Sequence, residues 1–179
     1  MEAARRIRVG AIEIAYDERG WGERPFVLVH GFTGSRDDFS GVLDELALGG
    51  RVVAPDQRGH GGSTNSGDPA GYTLECLVAD LSGFLDATGI ARCDLLGHSM
   101  GGMVTLRLAL AQPERVASLV LMDTAPAPLA MVPAAVREAG ARIAREQGMG
   151  ALFRILRGRS EGDAALPASM RRAMADAGP

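Results

Sequence analysis

The chain contains no lysine: all nineteen of its cationic residues are arginine, beside 22 acidic residues. This absence excludes Schiff-base chemistry, a P-loop phosphate site and a Ser-Lys dyad. Cysteine is scarce, and Cys76 and Cys93 fit neither a disulfide framework nor a metal-ligand cluster. We expect both to be buried free thiols. The sequence therefore predicts no metal site and no cofactor.

Long apolar runs and a strong net charge are also missing. No stretch reaches the roughly 18 apolar residues that a membrane-spanning helix needs, and residues 1–10 lack the apolar segment of a signal peptide. The net charge of −3 is too close to neutral to indicate a nucleic-acid-binding protein. We expect a soluble, cytoplasmic protein with neither nucleic acid nor membrane as a partner.

Short, nearly continuous apolar runs alternate with helical patterns. Continuous runs indicate strands buried on both faces, and the alternation predicts an α/β fold with a doubly wound, mostly parallel sheet. The predicted strands are Ile7–Val9, Ala11–Tyr16, Phe26–Val29, Arg51–Ala54, Cys93–Leu96 and Val116–Met122. The predicted helices are Asp38–Leu46, a segment capped by Thr73 and ended at Gly89, and Met100–Ala111.

The composition changes near Ala125. Residues 125–128 read Ala-Pro-Ala-Pro, which is incompatible with a regular helix or a central strand. Beyond this segment the apolar spacing is helical. We expect a body over residues 1–125 and a helical lid over residues 126–179.

The strongest chemical signal is a G-x-S-x-G pattern, Gly97-His98-Ser99-Met100-Gly101. It follows a predicted strand and opens a predicted helix, which is the setting of a nucleophile elbow. The sharp turn requires a positive φ at Ser99, and the glycines on either side remove side chains that would clash. The pattern predicts Ser99 as a catalytic nucleophile.

A second glycine-rich loop, His30-Gly31-Phe32-Thr33-Gly34, follows the predicted strand Phe26–Val29. Acyl transfer requires two N–H donors directed at the developing oxyanion. We assign these donors to the backbone amides of Phe32 and Met100. Gly31 allows the loop backbone to approach the substrate.

Four motifs together resemble the α/β-hydrolase superfamily, over about Val9 to Asp123. They are Val29-His30-Gly31-Phe32, Pro55-Asp56-Gln57-Arg58-Gly59-His60-Gly61, Gly97-His98-Ser99-Met100-Gly101-Gly102 and Gln112-Pro113-Glu114-Arg115-Val116. The resemblance implies an esterase-like serine hydrolase with Ser99 as nucleophile, acting on a small apolar ester. It also makes the helices after Ala125 the start of a cap.

The resemblance gives several residues a supporting role in the loops instead of a catalytic one. They are His30, Gly31, Asp56, His60, Gly97, His98 and Gly101. An apolar pocket lined by Phe32, Met100, Met103, Met149 and Phe153 is a further expectation, although core packing suits Met103 better.

The general base and the acid of a triad are not evident. The three histidines, His30, His60 and His98, all precede Ser99, whereas in the superfamily the base follows the nucleophile. Asp123, directly after the last predicted strand, is a candidate acid. Asp80 and Asp86 are expected on the solvated surface of a helix.

The number of strands is short of the superfamily's sheet by about two. We therefore expect a C-terminally truncated hydrolase that lacks its last two strands, carries a partial helical cap and has very low activity of its own. The strand Val116–Met122 would then be an apolar edge, which predicts a homodimer, aggregation, or coverage of the edge by the helices of residues 133–179.

Other functions stay open. One is a catalytically inactive half-hydrolase that binds or dimerises. Another, for the full-length form, is a cofactor-free haloperoxidase or a menaquinone-pathway-like lyase, the latter because of Gly31–Ser35 and Tyr72–Glu75. Epoxide hydrolases and haloalkane dehalogenases use an aspartate nucleophile, so Ser99 argues against both.

Overall fold

The computed structural model describes residues 4–127 and 134–157, and the chain divides into two compact units, residues 1–127 and 128–179. The strands are β1 (Arg5–Val9), β2 (Ile12–Arg19), β3 (Phe26–Val29), β4 (Val52–Pro55), β5 (Cys93–His98) and β6 (Val116–Met122). The helices are α1 (Leu43–Leu46), α2 (Leu74–Ala87), α3 (Met100–Ala111) and α4 (Ala134–Arg157). Short 3₁₀ turns cover Arg36–Phe39, Ala47–Gly49, Pro69–Gly71 and Pro113–Arg115.

The six described strands form one mixed sheet in the order β1-β2-β4-β3-β5-β6. The hairpin β1–β2 pairs antiparallel to β4, with Gly10 in its turn at φ +56°. The strands β4, β3, β5 and β6 run parallel. This architecture confirms the predicted α/β fold class and the predicted strands, with small shifts at their ends.

Strand β3 lies where the winding of the sheet reverses, because β4 is on one side of it and β5 on the other. In open α/β sheets, ligands bind at such a switch point, beyond the carboxyl ends of the strands. The loops after β3 and β5 carry the His-Gly-Phe and Gly-His-Ser motifs. The topology therefore brings both motifs to one edge of the sheet.

Alternate residues of β3 supply the two apolar layers that cover the sheet. Val27 and Val29 pack in the layer formed with α2 and α3, which includes the fully buried Phe84. Leu28 packs in the opposite layer beside Phe39. Burial on both faces explains why this strand reads as a continuous apolar run.

The predicted helix Asp38–Leu46 is wrong as a continuous element. Ser35 caps a 3₁₀ turn that ends at Phe39, and α1 begins only at Leu43. Gly41 lies between the two pieces, where glycine disfavours helix by about 1 kcal/mol relative to alanine. As a result Val42, expected on the buried face, is exposed.

Two other expectations need correction. Asp80 is buried and not solvated, because its carboxylate accepts hydrogen bonds from the Arg58 guanidinium. Cys93 is buried as expected, and burial raises the pKa of its thiol to about 11. Cys76 is only half-buried.

Strand β6 forms one edge of the sheet described here, since β5 is its only neighbour among the described strands. Its apolar residues Val120, Leu121 and Met122 are 46, 44 and 41% exposed. Successive residues of a strand point to opposite faces, so apolar surface is exposed on both.

In the second unit, α4 is interrupted at Gly148, which has φ +80°. The side chains of Met149 and Phe153, expected in the pocket, lie outside the described residues, as do residues 158–179. No helix in the described ranges is both long and apolar enough to cross a membrane.

Candidate active site

Ser99 occupies the turn between β5 and α3 with φ +51° and ψ −116°. Among the described residues, only Ser99 and Asp123 combine a positive φ with a side chain. Such a conformation costs on the order of 1–3 kcal/mol and persists only where the surroundings enforce it. Ser99 is the N-cap residue of α3, so the positive end of the helix dipole lies beside it.

Close packing enforces this turn. A Cβ atom on Gly97 would overlap the backbone of Gly101 and Gly102, and one on Gly101 would overlap the carbonyl oxygens of Val29 and His30. The N-terminus of α3 thus rests directly on the end of β3, and only glycine permits that approach.

Two hydrogen bonds hold the backbone of Ser99 to β6 and to the segment that follows it. Its N–H donates to the carbonyl of Met122 at 2.9 Å, and its carbonyl accepts from the Thr124 hydroxyl at 2.6 Å. Within the described part of the chain, the Ser99 hydroxyl itself makes no hydrogen bond. Thr124 was not predicted from the sequence, because no local pattern links it to a residue 25 positions earlier.

The loop after β3 lies against the elbow. A Cβ on Gly31 would be 3.3 Å from the Cβ of Ser99 and 3.1 Å from Nδ1 of His98. The structure therefore brings Gly31, His98 and Ser99 together, and Phe32 follows in the loop with its side chain 63% exposed. The Phe32 amide and the Met100 amide both belong to segments that adjoin Ser99.

His30 lies fully buried beneath this loop. Its Nδ1 donates to the Gly31 carbonyl at 2.8 Å, and its Nε2 accepts from the Gln57 amide at 3.0 Å. Burial lowers the pKa of His30 to about 4. With both ring nitrogens bonded to backbone, His30 has no lone pair available to accept a proton from Ser99.

His60 holds the next peptide of the loop. Its Nε2 lies within hydrogen-bond distance of the carbonyl of Phe32, and its Nδ1 lies 2.9 Å from the carbonyl of Arg58. A neutral imidazole has one N–H and donates to one of these carbonyls, whereas an imidazolium donates to both. Either form directs the ring to loop backbone.

Two buried ion pairs hold the loop after β4. Asp56 is fully buried and accepts from the Arg36 amide at 2.7 Å, from the Arg36 guanidinium and from the Gly62 amide at 2.8 Å. The second pair joins Arg58 to Asp80. Removing one partner of such a pair leaves a buried charge, which is strongly destabilising.

Asp123 directly follows β6, as Ser99 directly follows β5, and Met122 pairs with His98 across the two strands. Asp123 has φ +46° and is exposed. The structure thus places the candidate acid at the same edge of the sheet as the candidate nucleophile.

Comparison with known proteins identifies the family to which this fold belongs. The profile of the family described as alpha/beta hydrolase fold matches residues 24–151. Over 124 residues the chain is 40% identical to the 2-hydroxy-6-oxo-2,4-heptadienoate hydrolase of Pseudomonas putida, covering 68% of this chain and 44% of that protein. The chain spans about a third of the length of several other curated relatives that it matches.

Two solved structures are similar over nearly the whole chain. The enol-lactonase from Burkholderia xenovorans LB400 aligns with a TM-score of 0.81 and 26% identity, covering 96% of this chain and 66% of that one. A thermophilic esterase from Thermogutta terrifontis aligns with a TM-score of 0.80 and 29% identity, covering 98% and 68%.

The close approach of α3 to β3 can be tested with Gly101→Ala. Although alanine favours helix, its methyl group would overlap two backbone carbonyls, so we expect a loss of about 1–3 kcal/mol in the free energy of unfolding. Gly41→Ala is the control: a Cβ there meets nothing within 4 Å, and we expect a gain of about 0.4–1 kcal/mol. Urea denaturation measures both, and an equal change in the two variants would contradict the packing argument.

The neutral His30 makes stability dependent on pH. Its pKa in the folded state, about 4, is below the unfolded value of 6.5, so the unfolded chain binds more protons between these values. The free energy of unfolding is therefore at its full value above pH 6.5. It decreases by roughly 3 kcal/mol as the pH falls towards 4.

His30→Asn replaces the titratable imidazole with a neutral amide, which still has an N–H donor. The free energy of unfolding, measured by urea denaturation at several pH values between 4 and 7, should therefore change less with pH in the variant than in the wild type. The same change with pH in both proteins would show that His30 does not contribute to the pH dependence.

Proposed function

The chain belongs to the alpha/beta hydrolase fold family, and we propose that it carries the nucleophile and the oxyanion hole of a serine hydrolase. The observation that supports this most is the positive φ of Ser99 at the N-terminus of α3, beside the Gly31–Phe32 loop. The enol-lactonase and the esterase, similar in structure, are named for acyl compounds. We propose a small apolar ester or related acyl compound as substrate.

In the proposed reaction, Oγ of Ser99 attacks the acyl carbon and forms a C–O bond. The negative charge that develops on the acyl oxygen is held by the amides of Phe32 and Met100, each worth about 3 kcal/mol in the transition state. The bond to the leaving alkoxide then breaks, and the alkoxide takes the serine proton through a general base. Attack by water releases the acid and restores Ser99.

The general base is assigned to none of the three histidines. His30 and His60 direct their ring nitrogens at loop backbone, and the ring of His98 packs against Gly31. We propose Asp123 as the acid that orients a base, because its strained backbone follows β6 as that of Ser99 follows β5. Without a histidine base, turnover falls on the order of 10⁶-fold.

The nucleophile can be tested with a fluorophosphonate, which reacts with Oγ to form an O–P bond, while fluoride leaves and the proton passes to solvent. We expect slow labelling of the 179-residue chain at Ser99, and none in Ser99→Ala. Ser118→Ala, a change at an exposed serine of β6, is the control that should label like the wild type. Peptide mass spectrometry locates the adduct; an adduct that persists in Ser99→Ala would disprove the assignment.

A second candidate function is self-association through β6, which rests on its exposed apolar edge. No residue of Val116–Met122 is charged, although edge strands normally carry charges that prevent pairing. Two copies related by a twofold axis could pair β6 antiparallel without bringing like charges together. We propose such a dimer, in a reducing cytoplasm where the two free cysteines stay unpaired.

Self-association can be tested with the double variant Val120→Lys, Leu121→Lys. We expect a dimer for the wild type and a monomer for the variant, because paired strands would bring lysines from two copies together. Leu110→Lys, at a 75% exposed apolar residue of α3, is the control that should stay dimeric. Light scattering at micromolar concentrations measures the mass, and a monomeric wild type would refute the dimer.

A further inference from the structure

The orientation of one peptide bond decides whether Phe32 can serve in an oxyanion hole. The Gly31 carbonyl and the Phe32 N–H belong to the same peptide unit. No described peptide bond is cis, so the two groups point to opposite sides of the unit. Any contact that fixes the direction of the carbonyl therefore fixes the direction of the N–H.

Two donors fix that carbonyl. Nδ1 of His30 donates to it at 2.8 Å, and the Gly34 amide donates at 3.0 Å. The side chain of His30 is fully buried, so no water competes for the bond. Turning the peptide over would leave a buried donor without a partner, which is costly.

Gln57 determines which ring nitrogen carries the proton. Its backbone N–H donates to Nε2 of His30 at 3.0 Å, which requires a lone pair there and places the hydrogen on Nδ1. Its side-chain amide donates to the His30 carbonyl at 2.7 Å. Gln57 alone, in the loop after β4, thus fixes both the tautomer and the backbone of His30.

We propose that His30 is a positioning residue: its Nδ1–H, with the tautomer set by Gln57, turns the Gly31–Phe32 peptide so that the Phe32 amide faces the oxyanion beside Ser99. This role rests on the proposed function for its catalytic consequence. The peptide orientation itself is a property of the folded chain and can be measured without any reaction.

The test compares two amide substitutions that replace different nitrogens of the ring. In His30→Asn, Nδ2 is as far along the side chain as Nδ1 of histidine and can donate to the Gly31 carbonyl. In His30→Gln, the amide lies where Nε2 was, so its oxygen can accept from Gln57 while the donor to Gly31 is lost. Both variants keep a buried polar group.

The first measurement is the orientation of the Phe32 N–H, from residual dipolar couplings in the 179-residue chain. We expect the coupling to be kept in His30→Asn and changed in His30→Gln. The second is the rate of Ser99 phosphonylation, which should fall on the order of 10²-fold in His30→Gln, as for loss of one oxyanion donor, and be largely retained in His30→Asn.

The outcomes separate the two proposals. Equal couplings in both variants, or equal changes, would overturn the positioning role even if wild-type Ser99 is labelled. A changed coupling in His30→Gln alone, with no labelling of the wild type, would support positioning and refute the nucleophile. Nitrogen chemical shifts of the wild-type ring give a check that needs no variant, because a hydrogen on Nε2 would also overturn the role.

Discussion

The contact between the N-terminus of α3 and the end of β3 is the constraint on which the site depends. Gly101 touches the carbonyls of Val29 and His30, and Gly97 faces the first turn of the helix. This proximity leaves the chain so little room that Ser99 must turn with φ +51°. The same contact brings the N-terminus of α3 and the loop after β3 to one place, so the strain at Ser99 and the meeting of these two segments have a single cause.

Polar groups, two of them fully or nearly fully buried, hold the loops around Ser99. Asp56, Gln57 and His60, all from the loop after β4, bond to the segment that follows β3 or to its supports. Hydrogen bonds fix direction as well as distance, which apolar contacts do not. Because an oxyanion hole requires directed N–H groups, a polar scaffold suits the task better than a hydrophobic one.

Local sequence patterns are sufficient to predict the strands, the helices α2 and α3, and the turn at Ser99, because burial on both faces and glycine spacing can be recognised within a few residues. The break at Gly41, the buried pair of Asp80 with Arg58 and the roles of Gln57 and Thr124 were not visible. Gln57 meets His30 across 27 residues and Thr124 meets Ser99 across 25. Such contacts depend on the order of strands in the sheet, which periodicity does not determine.

Histidine is used in these loops as a structural residue. A ring with two nitrogens can join two backbone segments, and His30 does so with one nitrogen as donor and the other as acceptor. Depriving that ring of water lowers its pKa, which makes it a poor base and a dependable neutral link. In the proposed mechanism, charge stabilisation and proton transfer are therefore separable. Residues 30–34 and 97–101 would provide the first, and the second requires a group with a free lone pair next to Ser99.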